Sequence, residues 1–288
     1  MTREISFIIN PKAGSFSIKL VERIRERFPE ATLHFTEAAS DGVRLASELS
    51  ASGKVLVACG GDGTLREVVE GAKEGVTLAF IPLGTLNLVS RHLGIPTTHD
   101  GVLELIEKGE AKKIYPGLIK TPEYTKPFLL AISAGPDADA VHMVSLRLKK
   151  IISRFAYAVS FIKRMVKPVV DEIDLVVDGK GVSVGTATLL RGPFYGGVFR
   201  FGKKATLENV GVEALATGEG RIALLRLYLS VLTGGFIGKG GALRFFAKEV
   251  AFKNPSGRIQ IDGDPDTAYS ASVYTAERPI TVICGDIK

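Results

Sequence analysis

Cysteine is almost absent from this 288-residue chain: Cys59 and Cys284 stand far apart and form no short-spaced motif. That pattern gives no basis for a disulfide framework and fits a reducing compartment. The four histidines (His34, His92, His99 and His142) lack the spacing of metal ligands. No apolar run approaches the ~20 residues of a membrane span. The opening MTREISFIIN has neither the apolar region nor the cleavage site of a signal peptide. No basic repeat interleaved with aromatics is present, so nucleic acid is not an expected partner. These absences predict a cytoplasmic protein without repeats or low-complexity segments.

What is present is an ordinary globular composition, 45% hydrophobic and 24% charged. The length suits one large or two modest domains. A net charge of +6 suits an anionic partner, either a nucleotide or an acidic membrane face. Through about residue 116, strand and helix patterns alternate: strands at Ile5–Ile9, Ala31–Thr36, Lys54–Ala58 and Thr77–Pro82, and helices at Ile18–Phe28, Asp41–Ala51, after Thr64, Asn87–Leu93 and Gly101–Lys108. This order predicts a parallel sheet covered on both faces, which binds ligands beyond the carboxyl ends of its strands. From 117 on, strand-like runs dominate: Phe128–Ser133, Glu172–Val177, Val182–Leu190, Val212–Thr217, Glu249–Lys253, Arg258–Ile261, Ser270–Thr275 and Ile280–Ile283. Asp178-Gly179-Lys180-Gly181 reads as a hairpin turn. Helical patterns near Ser145–Lys167 and Arg221–Leu232 interrupt them. The expected organisation is an α/β domain over 1–116 and a mainly antiparallel β domain over 117–288, with the active site in the cleft between them.

The most telling segment is Gly60-Gly61-Asp62-Gly63-Thr64, set between an apolar strand and a helix with Leu65, Val68, Val69 and Ala72 on one face. Glycines there let backbone N–H groups approach a ligand, and a helix start adds unpaired N–H groups and partial positive charge. Phosphate fits such a place. Asp62 would repel a bare phosphate, which makes sense with Mg²⁺ between them or with proton chemistry at the site. No lysine follows the glycines, so this is not a P-loop, and the spacing is not G-x-G-x-x-G. A tight turn with an exposed Asp62 is the plainer alternative.

Two more loops are expected at the same sheet edge. Asn10-Pro11-Lys12-Ala13-Gly14 follows the first strand, and Pro82-Leu83-Gly84-Thr85-Leu86-Asn87 follows the fourth. Thr85 and Asn87 offer side-chain hydrogen bonds to a nucleotide, or serve as cap and turn residues. Far along the chain, Asp262-Gly263-Asp264-Pro265-Asp266 follows a strand. Its carboxylates suit general-base or metal duty, or simply a β-turn.

Asn-Pro-x-Ala-Gly, Gly-Gly-Asp-Gly-Thr, Pro-Leu-Gly-Thr-x-Asn, Ser133-Ala134-Gly135-Pro136-Asp137-Ala138 and Asp-Gly-Asp-Pro together resemble the diacylglycerol kinase catalytic-domain family. Its soluble bacterial lipid kinases are the nearest in kind; sphingosine and ceramide kinases belong to it, and NAD kinases are distant relatives. The resemblance implies an ATP- and Mg²⁺-dependent lipid kinase with a nucleotide-binding α/β domain and a β-sandwich domain. It implies an ATP site lined by Asn10, Thr36, Gly60, Gly61, Gly63, Thr64, Leu65, Arg66 and Thr85, with Asn87 beside it. Asp62 would be the essential carboxylate near the phosphates, and Asp264 the proton acceptor, alone or with Asp262. Where many members carry Leu-Asp-Asp-Gly and a structural Mg²⁺, this chain has Leu207-Glu208-Asn209-Val210, so that metal site is not carried over. A lipid substrate implies peripheral membrane contact. Arg147–Lys167, basic and apolar, suits an anionic interface, or alternatively a core-facing helix with a solvated basic face; Arg221–Leu232 is the second candidate. Two other readings share the motifs: a soluble-substrate kinase of the NAD kinase type, and a catalytically silent lipid- or nucleotide-binding regulator.

Overall fold

The structure, a computed structural model, describes residues 4–143, 172–195, 199–218, 223 and 242–287. The candidate membrane-facing stretches 147–167 and 221–232 lie outside the described residues, Ala223 excepted. The chain divides into two compact units, one running to Pro116 and resuming at Glu277, the other Gly117–Ala276. Among the described residues no helix is long and apolar enough to cross a membrane.

The first unit alternates β1 (Ile5–Ile9), α1 (Ile18–Arg27), β2 (Thr32–Phe35), α2 (Asp41–Leu49), β3 (Val55–Gly60), α3 (Asp62–Gly71) and β4 (Thr77–Pro82). Then come α4 (Leu88–His92), α5 (His99–Lys108) and β5 (Ala111–Ile114). Strands β1 to β4 are parallel in the order β2-β1-β3-β4. All six residues of β3 are buried, as expected of a parallel strand covered on both faces. Helix α1 starts at Ser17, whose hydroxyl accepts the Leu20 N–H at 3.3 Å. It buries Leu20, Val21 and Ile24. Ile18 is 66% exposed, because it falls beyond the edge of that stripe at 100° per residue. Helices α2 and α3 pack so closely that a Cβ on Gly71 would collide with the backbone of Val43.

One element departs from the sequence-based boundary. The strand Ile280–Ile283 lies between β4 and β5 in the first unit's sheet, parallel to β4 and antiparallel to β5. Residues 277–288 therefore do not belong with 117–276, where the sequence reading put them. A four-residue apolar strand carries no mark of which sheet it joins; the open edge of β4 decides it.

The second unit holds β6 (Gly117–Lys120), β7 (Thr125–Phe128), β8 (Ala131–Ala134), α6 (Pro136–Met143), β9 (Ile173–Val177), β10 (Lys180–Val184) and β11 (Thr186–Leu190). There follow β12 (Phe194–Tyr195), β13 (Phe199–Arg200), β14 (Val212–Thr217), β15 (Ala242–Ala247), β16 (Glu249–Lys253), β17 (Arg258–Ile261), β18 (Asp264–Thr267) and β19 (Ser270–Thr275). Two antiparallel six-stranded sheets result, β10-β9-β16-β19-β6-β7 and β15-β14-β11-β8-β17-β18. A shared core joins Ile119, Phe128, Val250 and Val273 of one sheet to Ile132, Leu189, Ala214 and Ile259 of the other. Burial of each large apolar side chain contributes about 1.5–3 kcal/mol.

Two runs read from sequence as single strands are divided between the sheets. Phe128–Ser133 breaks at Leu129–Leu130, leaving β7 in one sheet and β8 in the other. Val182–Leu190 breaks at Gly185 in the same way, between β10 and β11. Apolar patterning runs unbroken through both changes, since the chain stays against the same core. At Asp178–Gly179, both with positive φ, Val177 pairs directly with Lys180, so the expected hairpin forms with a two-residue loop.

Ile283 is 1% exposed. Ile283→Ala is expected to cost about 2–5 kcal/mol in urea unfolding. Faster amide exchange should appear in Thr77–Pro82 and Ala111–Ile114, not in Glu249–Lys253.

Candidate active site

The carboxyl ends of β1, β3 and β4 lie side by side, with Ile9 opposite Cys59, Cys59 opposite Ile81 and Gly60 opposite Pro82. The chain turns from β1 to β2 on one side, while β3 takes the other side, so β1 and β3 flank a topological switch point. The three loops that follow these strands are tied together. Asn10 donates from Nδ2 to Thr64 Oγ1 at 3.2 Å, and its Oδ1 accepts the Lys12 N–H at 2.9 Å. Ser15 N–H reaches Leu83 O at 2.9 Å, and Leu83 N–H reaches Gly60 O at 2.7 Å. Thr36 joins the same edge through its N–H to Ile9 O at 2.9 Å.

The glycines are there because the space is filled by neighbours. A Cβ on Gly60 would stand 2.5 Å from Thr64 Cβ, and one on Gly84 would stand 2.7 Å from Gly61 Cα. The strand end thus runs directly into α3, and the first intrahelical bond is Leu65 N–H to Gly61 O at 3.1 Å. The amides of Asp62, Gly63 and Thr64 precede that bond and form the N-terminal turn of the helix. Leu65, included among the nucleotide contacts by resemblance, is 1% exposed and faces the core. Arg66 follows it on α3.

Asp62 is not an idle turn residue. Its Oδ2 accepts the Leu88 N–H at 2.9 Å and its Oδ1 the Val89 N–H at 3.1 Å. It therefore caps α4 from a different helix, two charge-assisted bonds on one carboxylate. Asn87, the residue expected to bind nucleotide or cap α4, makes no cap bond. It sits at φ 47° and folds its amide back, with Oδ1 accepting Gly84 N–H at 2.9 Å and Nδ2 donating to Gly84 O at 2.8 Å. Thr85 and Leu86 are exposed at the tip of the loop so closed. Glu67 does for α2 what Asp62 does for α4, accepting the N–H groups of Ser40 and Gly42, each at 3.1 Å.

In the second unit, Asp262 and Gly263 form a two-residue hairpin loop joining β17 to β18, both with positive φ and with Ile261 opposite Asp264. The sequence reading missed β18, whose Pro265 is accepted at a sheet edge. The Asp262 carboxylate accepts three N–H groups, from Leu129 and Leu130 at 2.8 Å and Ala131 at 3.0 Å. It holds the segment where the chain passes from β7 to β8. Asp264, the first residue of β18, is half-buried. Asp266 lies on the same side of β18 and pairs with Lys126 at 2.9 Å.

Sequence reasoning did not find the polar network beside this turn. Ser133 Oγ donates to Asp137 Oδ2 at 2.5 Å, and the Tyr195 hydroxyl donates to the same oxygen. Gln260 Nε2 donates to Tyr195 Oη at 3.2 Å, while Gln260 Oε1 accepts the Gly263 N–H at 2.6 Å. Ser133 and Gln260 are each 1% exposed. Only Ser133 and Asp137 stood within a recognisable motif; nothing in sequence links Tyr195 or Gln260 to them. Burial pushes the Asp137 carboxyl above the usual carboxylate range, and the bonds from Ser133 and Tyr195 offset this only in part.

Among the described residues, no three His, Cys, Asp or Glu side chains come together as a metal cage. The Leu207–Val210 segment is held otherwise: Leu207 is buried, and the Arg191 guanidinium donates to Asn209 O at 2.7 Å and to Gly211 O. Burial pushes the Arg191 pKa down to about 10.

Residues 4–119 match the family described as the diacylglycerol kinase catalytic domain, a span that takes in all three loops. Over those residues the chain is similar to the diacylglycerol kinase catalytic-domain family. A diacylglycerol kinase of Staphylococcus aureus (strain bovine RF122 / ET3-1) is 27% identical over 196 residues, 63% of this chain and 58% of that protein. The protein of the same name from strain MRSA252 matches equally. The match thus spans little more than half the length of these curated relatives. Among solved structures, a candidate diacylglycerol kinase of Bacillus anthracis str. Sterne superposes with a TM-score of 0.80 at 18% identity, covering 98% of this chain and 95% of that one. A diacylglycerol kinase from the same organism gives 0.75 at 16% identity, covering 98% and 97%. At such identities the likeness is of fold alone, and it covers nearly the whole chain.

Two outcomes follow from this geometry. Asp62→Ala, measured without nucleotide, should lower stability by about 1–2 kcal/mol through loss of the α4 cap. Asp137 binds its proton more tightly folded than unfolded. Its favourable contribution is therefore full below the ordinary carboxylate range and lost as pH rises through the raised pKa. The difference in Tm between Asp137→Asn and the parent should accordingly shift in favour of the variant as pH rises from about 4 to 7. Taking the difference cancels the neighbouring Asp139–Arg258 and Asp266–Lys126 pairs, which are common to both proteins.

Proposed function

We propose that the chain is an ATP-dependent lipid kinase that transfers the γ-phosphoryl group to a lipid hydroxyl, of the diacylglycerol type. The observation that carries this reading is the family match over residues 4–119, falling on a switch-point edge where three glycine-bearing loops are bonded into one surface. Fold likeness alone would not carry it, since one fold hosts many activities.

In this reading the first-turn amides of α3 bind phosphate oxygens. Asn10 fixes Thr64 at that turn. Asp62 keeps the starts of α3 and α4 together and would be the carboxylate that helps hold Mg²⁺. The ion, when bound, neutralises charge on the phosphates. Thr85, exposed on the neighbouring loop, is a nucleotide contact. The lipid oxygen forms a bond to the γ-phosphorus as the bond to the ADP oxygen breaks, and the hydroxyl proton passes to Asp264. Asp262 is the less suitable base, because three N–H donors occupy its oxygens. The acceptor is a membrane lipid, so the protein works in the cytoplasm with peripheral contact at an anionic surface. The net charge of +6 favours such contact.

Incubation with γ-labelled ATP, Mg²⁺, NAD and a panel of diacylglycerol, phosphatidylglycerol, a sphingoid base and a polyprenol tests this directly. Labelled lipid is the expected product. Labelled NADP would instead identify a soluble-substrate kinase, and nucleotide binding without turnover a silent regulator. Asp264→Asn should lower kcat about 10²–10⁴-fold with the KM for ATP nearly unchanged. Asp62→Ala is the poorer probe, since it also removes the α4 cap.

A further inference from the structure

Four polar side chains from four elements converge inside the second unit: Ser133 on β8, Asp137 on α6, Tyr195 on β12 and Gln260 on β17. The Tyr195 hydroxyl lies within bonding distance of both Asp137 and Ser133, 3.3 Å from Ser133 Oγ. Gly263 N–H donates to Gln260, Gln260 to Tyr195, and Tyr195 to Asp137, which also accepts from Ser133. The bonds link the Asp137 carboxyl to the backbone of the hairpin loop that presents Asp264. Ser133 and Gln260 lie in strands otherwise facing apolar neighbours, where a polar side chain costs free energy unless it is bonded. A two-residue loop with both φ positive already specifies its own backbone. The hairpin does not need a buried side-chain amide on its glycine, so the network has something further to fix.

We propose that Asp137 is a positioning residue that, through Tyr195 and Gln260, holds the Gly263 amide and so sets the orientation of the Asp264 carboxylate. This inference rests on Asp264 being the proton acceptor. Asp262 anchors one side of the loop to the Leu129–Ala131 backbone, and the Asp137 network anchors the other through Gly263. With both sides held, the base that follows Gly263 has little freedom to turn away from a hydroxyl.

The test uses the full chain with Tyr195→Phe, which removes one hydroxyl and keeps the ring, and Asp137→Asn as the second variant should the first fold poorly. Two readouts are taken: the ¹⁵N–¹H resonance and exchange rate of the Gly263 amide, and kcat and KM for ATP with the lipid acceptor found above. The expected result is a shifted, faster-exchanging Gly263 amide with kcat lower by about ten- to a hundredfold and KM for ATP unchanged, as for a misplaced catalytic group. An unmoved Gly263 amide in a folded variant overturns the positioning role, whatever happens to kcat. A Gly263 amide that moves while kcat holds also overturns the positioning role, while Asp264 as the base stands or falls on Asp264→Asn. A fall in Tm with neither readout changed reduces the network to core structure and also overturns the proposal.

Discussion

Carboxylates accepting backbone N–H groups are the interaction on which both units of this protein depend. Wherever the chain turns sharply or a helix begins, amides are left without partners, and burying them unbonded costs about 1–3 kcal/mol each. Here acidic side chains from elsewhere in the fold supply the acceptors. Asp62 takes two amides of α4, Glu67 two at the start of α2, and Asp262 three at the passage between β7 and β8. Glu213, fully buried, takes the amides of Lys203, Lys204 and Ala205. Asp41 and Asp178 do the same at exposed turns.

This changes how an acidic motif should be understood. Asp62 begins as a carboxylate that phosphate would repel, and its geometry answers that difficulty in part. Two of its lone pairs face helix amides, so its charge is partly spent within the fold, and the same bonds bring the Gly84–Asn87 loop against α3. Structural and chemical duty then fall on one side chain, and a loss of activity at Asp62 says little by itself. Helix α3 is the hub of its unit for the same reason: its first residue caps one neighbour and Glu67, one and a half turns on, caps the other. Gly71 at its far end lets α2 approach to backbone contact.

Much of the fold was legible because apolar period and glycine punctuation carry it. The first four strands and the helices between them follow from alternating buried runs; the caps that Ser17 gives α1 and Thr98 gives α5 came only with the structure. The Gly60–Thr64 turn was recognisable by composition, and Asp178–Gly179 by its hairpin pairing. Asn87 was open between nucleotide contact, cap and turn; a side chain able to cap a helix is equally able to close its own loop, and here the neighbouring Asp62 takes the cap. Asp262 and Asp264 looked like two equivalent acids flanking a glycine. They differ because the β7–β8 passage presents its amides to one of them.

The sequence alone determined what depends on local pattern: an α/β half followed by a β-rich half, three glycine-bearing loops after parallel strands, and ordered motifs that resemble one kinase family. Hydrophobic period and turn chemistry act over a few residues, so they can be read from a few residues. Tertiary structure decided which sheet each strand joins, that Ile280–Ile283 returns to the first unit, and that Tyr195 and Gln260 complete a network around Asp137. Those outcomes depend on open sheet edges and unpaired amides, groups whose partners lie tens to hundreds of residues away and leave no periodic trace along the chain.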